Sequence, residues 1–166
     1  MKSKLRTFVF RQILNIWPCI RGTGVRIVAL TEDFTYLKVR LPLSWRTRNL
    51  VGTIYGGSLY ASTDPFYMLM LIEILGKDFV VWDKGCTIRF KRPAKETLWA
   101  EFRVTPEMLV DVRKKVAESN EADFIWTIEY KNKAGTVYAT FDKVLYVATK
   151  SFYEEKLRKR EAKSHR

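Results

Sequence analysis

The chain has 166 residues, with 30 Lys and Arg against 18 Asp and Glu for a formal net charge of +12, and its side chains are 47% hydrophobic and 14% aromatic. That is one domain's length with enough apolar material for a packed core, so wholesale disorder and collagen-like repeats are excluded. The one histidine, His165, stands beside the C-terminal residue, which removes a Ser-His-Asp triad, a Cys-His pair and a His-ligated metal and leaves carboxylates, hydroxyls, amines and backbone dipoles as the available chemistry.

Cys19 and Cys86 are too few for a disulfide scaffold and lack ligand spacing, so free thiols, no metal and no cofactor are expected. The longest apolar run, Phe66 to Leu75, contains Glu73 and is about half of the ~20 residues a membrane span needs, so no membrane insertion is expected. The basic N-terminus lacks a small-residue cleavage site, which points to a cytoplasmic protein. Positive charge gathers at the ends: residues 1–26 hold six basic side chains and no acid, and residues 151–166 hold six basic and three acidic ones. Such ends attract polyanions, or they serve as solvated faces. Nucleic acid is not an expected partner, because zinc-finger spacing, a helix-turn-helix pattern and an RNA-binding aromatic signature are all missing.

In chain order, residues 5–17 place Leu5, Val9, Ile13, Ile16 and Trp17 near helical spacing before Pro18, which predicts an amphipathic helix packed on the domain, with interfacial membrane contact as a second reading. Val25–Leu30 and Thr35–Leu41 read as a hairpin around Thr31-Glu32-Asp33. Residues 58–75 are hydrophobic nearly all round, which predicts an enclosed helix, and Pro65 should kink or break it near Asp64. Gly85–Lys91 and Leu98–Val104 alternate as half-buried antiparallel strands. Thr105-Pro106-Glu107 opens a short helix, Phe124–Tyr130 and Thr136–Val147 complete the strands, and the tail from about Phe152 is a charged helix or is frayed. A helix wrapped by five or six antiparallel strands in a single domain of residues 1–166 satisfies this order, with residues 1–23 as an added N-terminal helix.

The order of hairpin, Asn49-x-x-Gly52-Thr53-x-Tyr55-Gly56-Gly57, apolar helix with Asp64, then strands resembles the hotdog-fold acyl-CoA thioesterases of the phenylacetyl-CoA thioesterase type over about residues 24–148. Those enzymes carry His-Gly-Gly with an Asp nine positions after the His, and Asp64 follows Tyr55 by nine. The fuller pattern, including Trp45–Asn49, Val81–Lys84 and Arg89–Pro93, resembles a bacterial branch with Tyr-Gly-Gly. The resemblance implies an α+β hotdog fold and hydrolysis of a fatty or aromatic acyl-CoA thioester, or binding of an acyl-CoA without catalysis. It also implies a homodimer or dimer of dimers.

Tyr55 is a phenol and a poor base at neutral pH. Asp64 is therefore the candidate base or nucleophile, made basic by desolvation in an apolar helix, although Asp64-Pro65 also fits a helix cap with a first-turn proline. Gly56 and Gly57 are the candidate oxyanion donors, or a tight turn. Asn49 orients water or closes a turn. Arg89, Lys91 and Arg92 are candidates for the coenzyme A phosphates.

Overall fold

The computed structural model describes residues 2–164, without the side chains of residues 2, 3 and 164, so His165 lies outside the described residues. Strands with period-two burial form one antiparallel six-stranded sheet: β1 (Arg26–Leu30), β2 (Tyr36–Leu41), β3 (Phe79–Phe90), β4 (Leu98–Arg103), β5 (Glu121–Lys131) and β6 (Val137–Thr149), in the order β1-β2-β4-β5-β6-β3. Phe124, Trp126, Ile128 and Tyr130 of β5 and Ala139, Phe141, Leu145 and Val147 of β6 are buried at alternate positions, as expected where one sheet face carries the core.

The apolar segment packs on that face, but as two helices rather than one. Helix α3 (Gly56–Ala61) ends before α4 (Phe66–Leu75), and Pro65 lies in the break. A proline ring cannot sit within a continuous helix without removing a hydrogen bond and meeting the preceding turn. The break is closed by local bonds: the buried Ser62 and Thr63 hydroxyls donate to the Leu59 and Tyr60 carbonyls at 2.9 and 2.8 Å. Beneath them the Tyr130 hydroxyl stands 2.7 Å from Ser62 Oγ and donates to the Ser62 carbonyl at 3.1 Å, so the buried polar atoms of the turn are satisfied. Burial pushes the Tyr130 phenol up, which keeps it protonated as that donor. Helix α4 anchors the core through edge-to-face ring contacts, Phe66 on Phe102 at 5.3 Å and Tyr67 on Trp126 at 5.0 Å.

Helices α1 (Lys2–Ile16) and α2 (Pro18–Thr23) precede the sheet, α5 (Pro106–Ser119) joins β4 to β5, and α6 (Lys150–Ser164) follows β6. The tail is thus helical from Lys150 onward. At α5 the expected cap is present, with Thr105 Oγ1 accepting from the Met108 amide at 3.3 Å. Two expectations are corrected. Gly85–Lys91 is the end of a longer strand that begins at Phe79 and lies beside β6 at one edge of the sheet. Helix α1 does dock on the domain, but through Thr7, Phe10, Leu14 and Asn15, while the predicted packing residues Leu5, Val9, Ile13, Ile16 and Trp17 face outward. The physical reason is the Asn15 side chain. Its amide donates to the Ile27 carbonyl at 3.0 Å and accepts from the Ile27 amide at 2.8 Å, which fixes which side of α1 meets β1.

Those bonds also settle how the two sheet edges are treated. Asn15 and Arg11, whose guanidinium donates to the Val28 carbonyl at 3.2 Å, occupy open backbone groups of β1. The edge formed by β3 carries twelve residues and meets no such cover among the described residues.

Candidate functional site

The predicted residues gather at two ends of β3. At the first end, Tyr55 precedes α3 with extended backbone and Gly56 and Gly57 open the helix. Both glycines lie under exposed aromatic rings. A Cβ on Gly57 would come within 2.2 Å of the Tyr55 ring, and one on Gly56 within 3.1 Å of the Phe90 ring. The missing Cβ atoms let the rings lie close on the backbone, and the first-turn amides have no partner within the helix. Beside them is an open groove of about 480 Å³ lined by Asn49, Gly56, Leu59, Phe90, Lys91 and Arg92.

Three of the predicted residues stand differently from the rest. Asn49 belongs to the groove wall, but its amide accepts from the Thr53 backbone at 2.9 Å and donates to Thr53 Oγ1 at 2.8 Å, so it closes the 49–53 loop. Arg89 is turned away to an ion pair with Asp142 at 3.1 Å and does not line the groove. Asp64 lies at the second end. A larger concavity of about 620 Å³ sits elsewhere, among the ion-paired Lys38, Glu101 and Arg103 and the β5–β6 turn, and holds none of the predicted residues.

At the second end, the expectation that Asp64 is desolvated within an apolar helix is corrected, because the break between α3 and α4 leaves it exposed. It is not a helix cap either: the residue at the cap of α4 is Pro65, with no side-chain cap bond. The desolvated carboxyl is Asp83, close enough to Asp64 to feel its charge. Asp83 Oδ2 lies 2.9 Å from Lys143 Nζ, and the Lys143 side chain is 2% exposed. This contact is an ion pair at an angle poor for hydrogen bonding, which leaves the Asp83 oxygens with unfilled acceptor capacity. Burial, partly offset by Lys143 and reinforced by the Asp64 charge, pushes the Asp83 carboxyl up to about 6. Asp83, paired with a buried ammonium and beside Asp64, is thus able to hold and release a proton near neutrality. Nearby Cys86 is half-buried and burial pushes its thiol up, away from the thiolate a nucleophile needs.

Asp83 and Lys143 were absent from the sequence-based candidates, although both left a signal. Lys143 occupies the inward slot of Ala139-x-Phe141-x-Lys143-x-Leu145-x-Val147, the one charge in an apolar period of two. Asp83 is aimed inward where the β3–β6 register shifts between Asp83 and Gly85, a bulge that re-aims a side chain. Among the described residues no cluster of His, Cys, Asp and Glu could hold a metal ion.

A six-stranded antiparallel sheet packed on a broken apolar helix is an α+β fold of the hotdog type. The chain is similar in structure to a Pseudomonas aeruginosa protein of unknown function described as a probable thioesterase, with a TM-score of 0.74 and 21% identity over 86% of this chain and 95% of that one. It is also similar to a Haemophilus influenzae thioesterase, with a TM-score of 0.61 and 17% identity over 84% of this chain and 88% of that one. A Chlorobaculum tepidum protein with unknown function aligns with a TM-score of 0.67 and 16% identity over 89% of this chain and 94% of that one. At these identities the likeness is one of fold. The chain belongs to the family described as "Domain of unknown function (DUF4442)", which matches residues 6–147. No curated protein matches it.

Proposed function

We propose that the protein is a thioester hydrolase acting on a fatty or aromatic acyl-coenzyme A, with Asp64 as the base or nucleophile. The observation that carries this reading is the placement of Asp64: an exposed carboxylate at the helix break, free of any capping duty and joined to the Asp83–Lys143 pair. In the base mechanism Asp64 takes a proton from water, the hydroxide adds to the thioester carbon, and the oxyanion is held by the Gly56 and Gly57 amides. Collapse breaks the C–S bond, giving the carboxylic acid and the free thiol, and the proton on the Asp64–Asp83 unit returns to the leaving sulfur. Lys91 and Arg92, exposed beside Gly56, are suited to the phosphates of coenzyme A.

The two halves of this site lie apart within one chain. Gly56 opens α3 against Phe90, and Asp64 follows it by eight residues through the helix and its closing turn, about 12 Å at helical rise. Antiparallel pairing of β3 with β3 of a second copy reverses the strand and brings the Gly-Gly end of one chain toward the Asp64 end of the other. The uncovered β3 edge supports such a homodimer.

The test is thiol release from a panel of acyl-coenzyme A substrates by wild type and Asp64→Asn. Turnover should fall by about 10²-fold or more, the scale of a lost general base, with the melting temperature unchanged because Asp64 caps no helix. Persistent activity in Asp64→Asn removes Asp64 from the chemistry. Tight acyl-coenzyme A binding by a wild type that releases no thiol replaces hydrolysis with non-catalytic binding.

A further inference from the structure

The wet side of α1 is the more apolar one. Leu5, Phe8, Val9, Ile13 and Ile16 are between 44% and 66% exposed, and Trp17 just beyond the helix is 52% exposed. At 3.6 residues per turn the five helical positions fall within an arc of about 140°, opposite the docked Thr7, Phe10 and Leu14. Isolated exposed hydrophobics need no explanation, whereas a stripe of five on one arc, broken only by Gln12 among the described side chains, marks an interaction surface. The first 26 residues carry six basic side chains and no acid; Arg11 donates to the Val28 carbonyl and Arg26 to the Asn15 carbonyl. Arg6 is matched by Glu73 and Lys4 approaches Glu32 at 4.0 Å, which leaves the α1–α2 segment with net positive charge.

We infer that α1 is an interfacial anchor that lays its outer face on an anionic phospholipid surface. Among the described residues no helix is long and apolar enough to cross a membrane, and none is needed. A helix lying in the interface buries one apolar side to the depth of the acyl boundary while neighbouring cations meet lipid phosphates. Charge decides between this occupant and a second copy of the chain, because a second copy would bring the same net positive charge against itself. The β3 pairing proposed above points the same way. Helix α1 covers β1, at the opposite end of the sheet from β3, so pairing through β3 leaves the stripe outward. The inference is independent of the hydrolase reading, since it concerns where the protein sits and not what it cleaves.

The experiment is co-sedimentation of the full chain with vesicles of phosphatidylcholine alone and of phosphatidylcholine mixed with phosphatidylglycerol, at low and high salt. Wild type should pellet with the anionic vesicles, weakly with the neutral ones, and less as salt rises. The triple variant Leu5→Gln, Phe8→Gln, Ile13→Gln replaces outward side chains with a good helix former. It should keep the wild-type melting temperature and bind at least about tenfold more weakly, as expected from losing three apolar groups. Failure of wild type to bind anionic vesicles overturns the inference, as does a folded triple variant that binds like wild type. If wild type ignores vesicles and the triple variant instead lowers the oligomer mass in light scattering, the stripe belongs to a second copy and the lipid assignment is wrong.

Discussion

Removing the buried ammonium tests the unit that joins Asp64, Asp83 and Lys143. In Lys143→Met a chain of similar length and no charge replaces a side chain that is 2% exposed, and Asp83, 14% exposed, loses its ion-pair partner. Breaking a buried pair from one side costs about 3–5 kcal/mol. The lower end applies here, because Asp83 can neutralise itself by keeping a proton. For a chain of this length about 3 kcal/mol corresponds to a melting shift on the order of 10 °C.

The pH dependence gives the sharper check. The folded-state carboxyl of Asp83 is raised to about 6 from 3.8. Its stability contribution is therefore fully present below about 4 and is lost as pH rises through about 6. Without Lys143 the charged form is less favoured still, so the variant continues to lose stability at pH values where wild type has levelled off. The cost of Lys143→Met should be largest near pH 8 and small near pH 5, where wild type also carries a neutral Asp83. Chemical denaturation of wild type, Lys143→Met, Asp83→Asn and the double variant at both pH values closes a cycle. The expected coupling is about 2–3 kcal/mol at the higher pH and close to zero at the lower. Additive costs, or a penalty for Lys143→Met that does not change with pH, would show that the 2.9 Å contact is not an energetic pair.

Gly24→Ala and Gly57→Ala should separate structure from site. Gly24 has φ +85° and a Cβ there would lie 2.3 Å from Thr47 Cγ2, so alanine should cost at least about 2 kcal/mol in denaturant melts, whereas Gly57 meets only the exposed Tyr55 ring and alanine should lower turnover with a loss under about 1 kcal/mol. Asn15→Ala removes both bonds to Ile27 and should cost about 1–2 kcal/mol, with faster amide exchange confined to α1 and β1. Lys91→Glu and Arg92→Glu should weaken coenzyme A binding by about tenfold each at low salt, read by calorimetry, while Arg89→Gln leaves it unchanged because that guanidinium is held by Asp142.

The sequence was most legible where burial follows a short period. The hairpin before Leu41, the capped start of α5 at Thr105 and the strands around Lys131–Gly135 all announce themselves in local pattern and turn chemistry. The break at Pro65 was legible for the same reason, since a proline's missing amide is a local fact. Facts set by contacts distant in sequence were not. Which side of α1 faces inward depends on Asn15 meeting Ile27, and an apolar count favours the wrong side. The Asp83–Lys143 pair spans two strands, and only the interrupted alternation of β6 hints at it. Asp64 was found by its spacing from Tyr55, while its environment followed from how the broken helix sits on the sheet and had to be seen.

That environment bears on the chemistry. An exposed carboxylate is a weak base, and a base for water attack gains strength from desolvation or from a like charge beside it. The first would come from a second copy laid along β3, whose strand would cover the Asp64 end while delivering its own Gly56 and Gly57 amides to the same place. Covering also excludes bulk water, which strengthens each of these interactions. The edge at β1, closed by Asn15 and Arg11, offers no such completion. On this reasoning pairing and basicity are one event: a monomer would hold a carboxylate too well solvated to act and amides with nothing to hold, and the dimer would correct both at once.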